Sequence, residues 1–355
     1  MSVRGLLFYR AELEAGSRDA TAPLVPVEKD IFDGRQVPDG FFSLDTSYFK
    51  LVQHTSAVHD LPDGLYSSQE DMQRVYYPEL EVLLKRETGA THAFVVGHLA
   101  REAHTPQSLL QATDAATKDL SHIAAAAIRG GDNSSGASRF GISGRPENQM
   151  NGSAALVHTD YEWNHKDRMI EWFTPGSDRH CEGGLAAWVD PRSNPYYDLH
   201  ARTGLTSQDL CRCRIQVVNV WRAAEDFPLK RMPLALADQR TVSHLDAVST
   251  PNEFNTHGAH GRVITLRPNN NFPTAVHTEK HTYWYFPDLQ RDEAVLLKTY
   301  DSIDYDRGAD YRMCWHTGFH DPTTPPECGP RHSCEARVVL ITPYSDDGDH
   351  EYWPT

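Results

Sequence analysis

From residue 154 to the C-terminus the chain is a succession of short apolar runs separated by polar connections: AALVHTD, CRIQVVNVW, GRVITLR, VHTEKHTYWYF, RMCWHTGF and HSCEARVVLI. They are short and rich in β-branched or aromatic residues, so each reads as a strand. Many strands at irregular spacing, with the helices concentrated ahead of them, predict a β-barrel or sandwich carrying a helical flank. The one interruption is DLQRDEAVLLKTYD, residues 288–301, which reads as a helix with Asp288 as its N-cap.

The N-terminal part has its own punctuation. GLLFYR at 5–10 and HAFVVGHLA at 92–100 read as strands. Ser67 with Glu70 forms a capping-box pattern that opens a helix, which Pro78 kinks and Gly89 ends. A second helix starts at Thr105-Pro106, carries Leu109, Leu110, Ala116, Leu120, Ile123, Ala127 and Ile128 on one face, and stops at Gly130-Gly131. The Gly-, Ser- and Asn-rich stretch that follows cannot pack a core and reads as a loop or lid. The expected organisation is one domain over 1–355. It has N-terminal strands and a helical flank at 1–130, a flexible loop or lid at 131–153, the strand core at 154–342 and a tail at 343–355.

Charge excludes some partners. Lys and Arg number 34 against 49 Asp and Glu, a net −15, which opposes binding to nucleic acid and to anionic membranes. No apolar run approaches the roughly 20 residues of a membrane span, and the N-terminal apolar stretch is too short for a secretory signal, so a cytoplasmic location is expected. The six cysteines lack CxxC pairs and read as reduced thiols. Cys211 and Cys213 fall in a strand-like run that would place both sulfurs on one face.

Histidine is the unusual entry in the composition, at 19 residues. One occurrence is informative: Val157-His158-Thr159-Asp160-Tyr161, at the end of an apolar strand. In a strand, residues i and i+2 point to the same side, so His158 and Asp160 would present a nitrogen and an oxygen to one point. That is two-thirds of the facial triad of non-haem Fe(II) oxygenases, which leaves positions open for a cosubstrate and dioxygen. The alternative is a surface HTD turn. A third ligand is available at His316, 316 − 158 = 158 residues on, in the strand-like run Trp315-His316-Thr317-Gly318-Phe319.

Downstream of a proline-rich turn, TTPPECGP, alternation over 331–341 puts Arg331, Ser333, Glu335 and Arg337 on one face. Charges on one face of an apolar sheet are costly unless paired. A dicarboxylate such as 2-oxoglutarate would pair with Arg331 or Arg337, since a guanidinium matches a carboxylate bidentately. The competing reading is a structural ion pair between Arg331 and Glu335. In Asn219-Val220-Trp221-Arg222 the two polar residues fall on opposite faces, so both cannot line a cavity, and structural roles are expected for them. The aromatic run Tyr283-Trp284-Tyr285-Phe286 reads as core and sheet surface.

The order HxD, distal His, Arg-x-Ser strand resembles the Fe(II)- and 2-oxoglutarate-dependent dioxygenases. More narrowly, VHTDY, VVNVWRAAEDFPLKRMPLALADQRTV, HTYWYFPDLQRDEAVLLKTYDS and HTGFHDPTTPPECGPRHSCEAR are similar to the fungal hydroxylase/desaturase family of the AsaB type, related to cephalosporin 7α-hydroxylase, over roughly residues 90–342. The resemblance implies a mainly β fold with flanking helices around a double-stranded β-helix, the cupin-like jelly roll. It implies Fe(II) on His158, Asp160 and His316, and 2-oxoglutarate on Arg331 first, with Arg337 and Ser333 as further candidates. It also implies an oxygenase that uses O2 to hydroxylate, desaturate or cyclise a small secondary-metabolite intermediate, releasing succinate and CO2. The alternatives are a non-haem iron oxidase that does not use 2-oxoglutarate and a non-catalytic metal-binding jelly roll. The stretch AAEDFPLKRMPLA is longer than its counterpart in the family, so substrate contacts do not transfer from it.

Overall fold

The computed structural model describes residues 1–10, 24–61, 69–103, 157–161, 166, 169–170, 202–225, 228–251, 254–257, 263–266, 271–275, 278–306 and 312–344. The expected helix over 105–129 and the loop at 131–153 lie outside the described residues, as does Ser67 of the expected capping box.

Two five-stranded sheets carry the fold, with strands numbered in chain order. The first runs β1 (Ser2–Arg10), β2 (Leu24–Asp33), β11 (Tyr283–Tyr285), β6 (Leu234–Ala237), β13 (His316–Gly318). The second runs β3 (Phe49–Gln53), β12 (Glu293–Asp301), β5 (Cys213–Ala223), β14 (Arg331–Pro343), β4 (His92–Ala103). Pairing is antiparallel except where β11 runs parallel to β2. Two small antiparallel pairs stand apart, β7 (Ala247–Pro251) with β10 (Asn271–Ala275) and β8 (Phe254–His257) with β9 (Val263–Leu266). N-terminal strands lie in both sheets.

The inner faces meet over Phe49, Trp221, Val295 and Leu297 from one sheet and Leu234 and Leu236 from the other. Behind the second sheet, the helix Tyr77–Thr88 packs Leu80, Leu83 and Leu84 against Val218, Val220, Leu296 and Val338. Two curled sheets, with few helices among the described residues, make the jelly roll that the resemblance implies.

That helix also shows what Pro78 does. Proline cannot donate a hydrogen bond to the preceding turn, and that turn, Met72–Tyr76, is wound as a wider π-helix. Gly89 ends the helix in the left-handed region at φ 72, its N–H on the Lys85 carbonyl at 2.9 Å.

Two expectations are corrected. Residues 288–301 are not a helix: Asp288 sits at φ 50, and Glu293–Asp301 is β12, buried at all 9 positions. An interior strand buried on both faces loses the two-residue alternation, and Val295-Leu296-Leu297 then reads as a helical face. Cys211 and Cys213 do not share a strand face, because Cys211 ends the short helix Ser207–Cys211 and is exposed while Cys213 opens β5 and is buried.

Registers set the inner face of the second sheet. β14 pairs Ser333 with Ala223, Glu335 with Trp221 and Arg337 with Asn219, and β12 pairs Leu297 with Asn219. Directly opposed residues share a face. Along β5 that face reads Ile215, Val217, Asn219, Trp221, Ala223, so a single amide interrupts an apolar row.

Candidate metal centre

His158 and His316 meet in an isolated antiparallel bridge. The His158 N–H donates to the His316 carbonyl at 3.2 Å, and the reverse bond is 2.9 Å. A pair that exchanges both bonds points both side chains to one face, and the ring centroids lie 4.3 Å apart. Asp160, two residues on, projects to the same side, with Oδ1 4.0 Å from His158 Nε2. Donor atoms of His158, Asp160 and His316 all lie within 4.8 Å of one another, and all three residues are buried. His316 Nδ1 sits 3.0 Å from the Cys314 carbonyl. A carbonyl only accepts, so Nδ1 carries the proton and Nε2 is left as the ligating nitrogen.

The other oxygen of Asp160 is occupied by protein. Oδ2 accepts from Asn219 Nδ2 at 2.6 Å and faces Arg337 Nε at 3.4 Å. Burial by itself pushes the Asp160 carboxyl up, but Arg337, the two imidazoles and the Asn219 amide outweigh it and hold the group well below the usual carboxylate range. The Arg337 guanidinium loses to burial and gains more from Asp160 and Glu335, so its pKa is raised. The triad is therefore a buried site with an ionised carboxylate, which suits a divalent cation.

Arg331 and Ser333 lie on the same inner face, toward the N-terminal end of β14. Arg331 is 3% exposed, donates Nη1 to the Met232 carbonyl at 2.7 Å and stands 5.7 Å over the Trp221 ring. Ser333 is buried, and among the described residues its Oγ has no hydrogen-bond partner. The TTPPECGP turn that carries the chain from His316 to Arg331 is pinned by Arg231, which donates to the carbonyls of Pro326, Cys328 and Gly329.

The geometry separates residues that the sequence grouped. Arg337 is engaged with Asp160, not set beside Arg331. Glu335 faces Arg337 Nη2 at 3.4 Å and accepts from Asn219 at 2.7 Å. Asn219 touches the triad directly, where a structural role was expected; the available signal was a lone amide in the apolar run VVNVW, which buried polar groups rarely tolerate without partners. Arg222 points the other way, as its alternation requires, onto His54 and the Tyr76 ring. Tyr283 and Tyr285 pack behind the first sheet and Trp284 and Phe286 against the inner core, which agrees with their reading as core. His281 is paired with Asp246 and His332 with Glu225, away from the triad.

Two imidazoles and one carboxylate converging inside a jelly roll make the three-donor set of a facial metal triad. The chain belongs to the family described as "Oxidoreductase/YMDC permease-like domain", whose sequence model matches residues 6–182 and 194–341. It is 30% identical over 173 residues to aspirochlorine biosynthesis protein N of Aspergillus oryzae, covering 45% of this chain and 67% of that protein. It is 30% identical over 150 residues to hydroxylase/desaturase asaB of Aspergillus flavus, covering 39% of this chain and 60% of that one. Against hydroxylase/desaturase CTB9 of Cercospora beticola the identity is 26% over 310 residues, covering 84% and 72%. In fold, the chain matches the solved iron and alpha-ketoglutarate-dependent endoperoxidase NvfI with a TM-score of 0.60 at 17% identity, over 97% of this chain and 98% of that one.

Proposed function

We propose that the enzyme hydroxylates, desaturates or oxidatively cyclises a small secondary-metabolite intermediate, with Fe(II) on His158, Asp160 and His316 and the distal carboxylate of 2-oxoglutarate on Arg331 and Ser333. The observation that carries the reading is the convergence of the three donors, within 4.8 Å, in an interior that also holds a buried guanidinium and a hydroxyl with no hydrogen-bond partner among the described residues. A buried hydroxyl without a partner costs about 1–3 kcal/mol. A carboxylate accepts from both the hydroxyl and the guanidinium, which makes a dicarboxylate the fitting occupant.

When bound, iron and 2-oxoglutarate supply the oxidising power, with dioxygen consumed and the keto acid decarboxylated to succinate and carbon dioxide. The chain supplies placement. Cys314 fixes the His316 tautomer through its carbonyl, Asp160 contributes the charge that offsets a divalent ion, and Arg331 neutralises the far carboxylate inside a protein whose net charge is −15. Trp221, Leu234, Leu236 and Cys314 give the interior an apolar wall that excludes water. The hydroxylase/desaturase names of two relatives support oxidation at carbon.

A single catalytic domain over 1–355 goes with this reading, supported by the N-terminal strands in both sheets. The free thiols of Cys211, Cys213, Cys314, Cys328 and Cys334 favour a reducing, cytoplasmic setting. No helix among the described residues is long and apolar enough to cross a membrane.

The test is admission of air to anaerobic protein loaded with Fe(II), 2-oxoglutarate and candidate substrates. Succinate released in step with product supports the proposal; iron-loaded protein that releases none overturns it. Arg331→Ala separates the alternatives, because cosubstrate affinity falls only in an enzyme that uses 2-oxoglutarate.

A further inference from the structure

The inner face of the second sheet carries a polar seam between two apolar clusters, and this seam is built onto one atom of the triad. Below it, Ile215, Val217, Val339 and Ile341 pack together; above it lie Trp221 and Ala223. Between them stand Asn219, Glu335 and Arg337. Asn219 spends both amide hydrogens on carboxylates, one on Asp160 Oδ2 at 2.6 Å and one on Glu335 Oε1 at 2.7 Å. A carboxylate oxygen only accepts, so the amide's orientation is fixed by chemistry. Thr299 Oγ1 lies 3.4 Å from Asn219 Oδ1, at hydrogen-bonding distance.

Two irregularities in the ladders flank the seam. β12 slips register against β5 between Lys298 and Tyr300, which leaves Thr299 in the bulge, and β14 slips against β4 between Arg337 and Val338. A bulge re-aims a side chain that a regular strand would send elsewhere. The seam is also balanced in charge, because Glu335 stands against Arg337 at 3.4 Å, so the guanidinium beside Asp160 does not cancel the carboxylate's pull on a cation.

We infer that Asn219, with Arg337 and Glu335, is a positioning device that holds Asp160 Oδ2 out of the metal's coordination sphere and so makes Asp160 a one-oxygen ligand through Oδ1. The inference rests on the iron-site reading above. Its chemical consequence is a count of positions. An octahedral ion held by two imidazoles and one carboxylate oxygen keeps three positions open, two for a chelating keto acid and one for dioxygen. A carboxylate that turned to bind through both oxygens would fill one of them. The free oxygen of Asp160 is thus a part of the site that must be kept occupied by protein.

The experiment compares wild type with Asn219→Ala, using Co(II) as the probe, by titration with and without 2-oxoglutarate while the visible ligand-field spectrum is followed. Loss of outer partners of a metal ligand costs roughly 10–100-fold in affinity. In Asn219→Ala the Co(II) spectrum changes and affinity for 2-oxoglutarate falls by about 10-fold or more, at an unchanged circular dichroism spectrum. Arg337→Lys, which keeps the buried positive charge, serves if Asn219→Ala does not fold, and it shows the same spectral change to a smaller extent. A folded Asn219→Ala, or in its place Arg337→Lys, with wild-type spectrum and wild-type affinities overturns the positioning role and leaves the iron site standing. Wild-type protein that binds no Co(II), or an Asp160→Ala variant that binds it as well as wild type, overturns both.

Discussion

His158 and His316 exchange both backbone hydrogen bonds, at 3.2 and 2.9 Å, so the two imidazoles are brought to one face by main chain alone. The bridge uses no side-chain atom, and truncating either ring leaves it in place. Single replacements His158→Ala, Asp160→Ala and His316→Ala are therefore expected to keep the wild-type circular dichroism spectrum while Fe(II) affinity, read by anaerobic calorimetry, falls by at least about 100-fold. Chelation of metal from wild type lowers its melting temperature, and the three variants show no such response.

Ser333→Ala is expected to act in opposite directions on the two states of the site. Without cosubstrate, removal of a buried hydroxyl that has no partner among the described residues leaves stability unchanged or raises it by about 1 kcal/mol. With cosubstrate, loss of a hydrogen bond to a charged acceptor weakens 2-oxoglutarate roughly 10-fold. Arg331→Ala weakens it further, by about 100-fold, since a charge-assisted contact is lost. Urea denaturation and isothermal titration of 2-oxoglutarate check the pair.

Asp301, the last residue of β12, holds a charged cluster at the end of that strand. It accepts from Arg214 at 2.9 and 2.5 Å and from Lys298 at 2.7 Å, and Lys298 is only 1% exposed. Removing the carboxylate leaves the buried ammonium with the exposed Asp45, 3.5 Å away, as its counter-charge, which costs up to about 3–5 kcal/mol. Asp301→Ala should lose that much in denaturant unfolding, and Lys298→Met should lose less, because Arg214 keeps its partner.

Stability should fall in two overlapping acid windows. Burial and then Arg222 push His54 down to about 4, and burial, Arg222 and Arg291 push His59 down to about 3. The unfolded histidines, near 6.5, take up protons first, so stability is lost as pH falls from about 6.5 toward 3. Burial raises the Asp301 carboxyl, but Arg214 and Lys298 outweigh it and bring the group to about 2. Its contribution is present above about 4 and is lost as pH falls toward 2. Urea midpoints across pH should show both falls, and His54→Asn should flatten the first relative to wild type, which shares the same metal-site histidines.

The strands containing His316 and Arg331, and the shared face of Arg331, Ser333, Glu335 and Arg337, were legible because the strand period of two depends only on local stereochemistry, whereas His158 forms an isolated bridge and not the strand expected there. β12 was not, because its position in the sheet interior makes both faces apolar and erases the period that identifies a strand. Arg337 was visible as a charge on the right face, and its engagement with Asp160 instead of a place beside Arg331 was not.

The sequence by itself determined which residues can ligate, which face of each strand they occupy, and a net charge that opposes polyanions, since these follow from composition and local periodicity. Only the tertiary structure decided that Asn219 reaches Asp160 across 59 residues at 2.6 Å, that Glu335 sits with Arg337, and that Thr299 occupies a bulge beside them. Those contacts depend on cross-strand register between segments far apart in the chain. Register is set by how whole sheets pack, which no local pattern records.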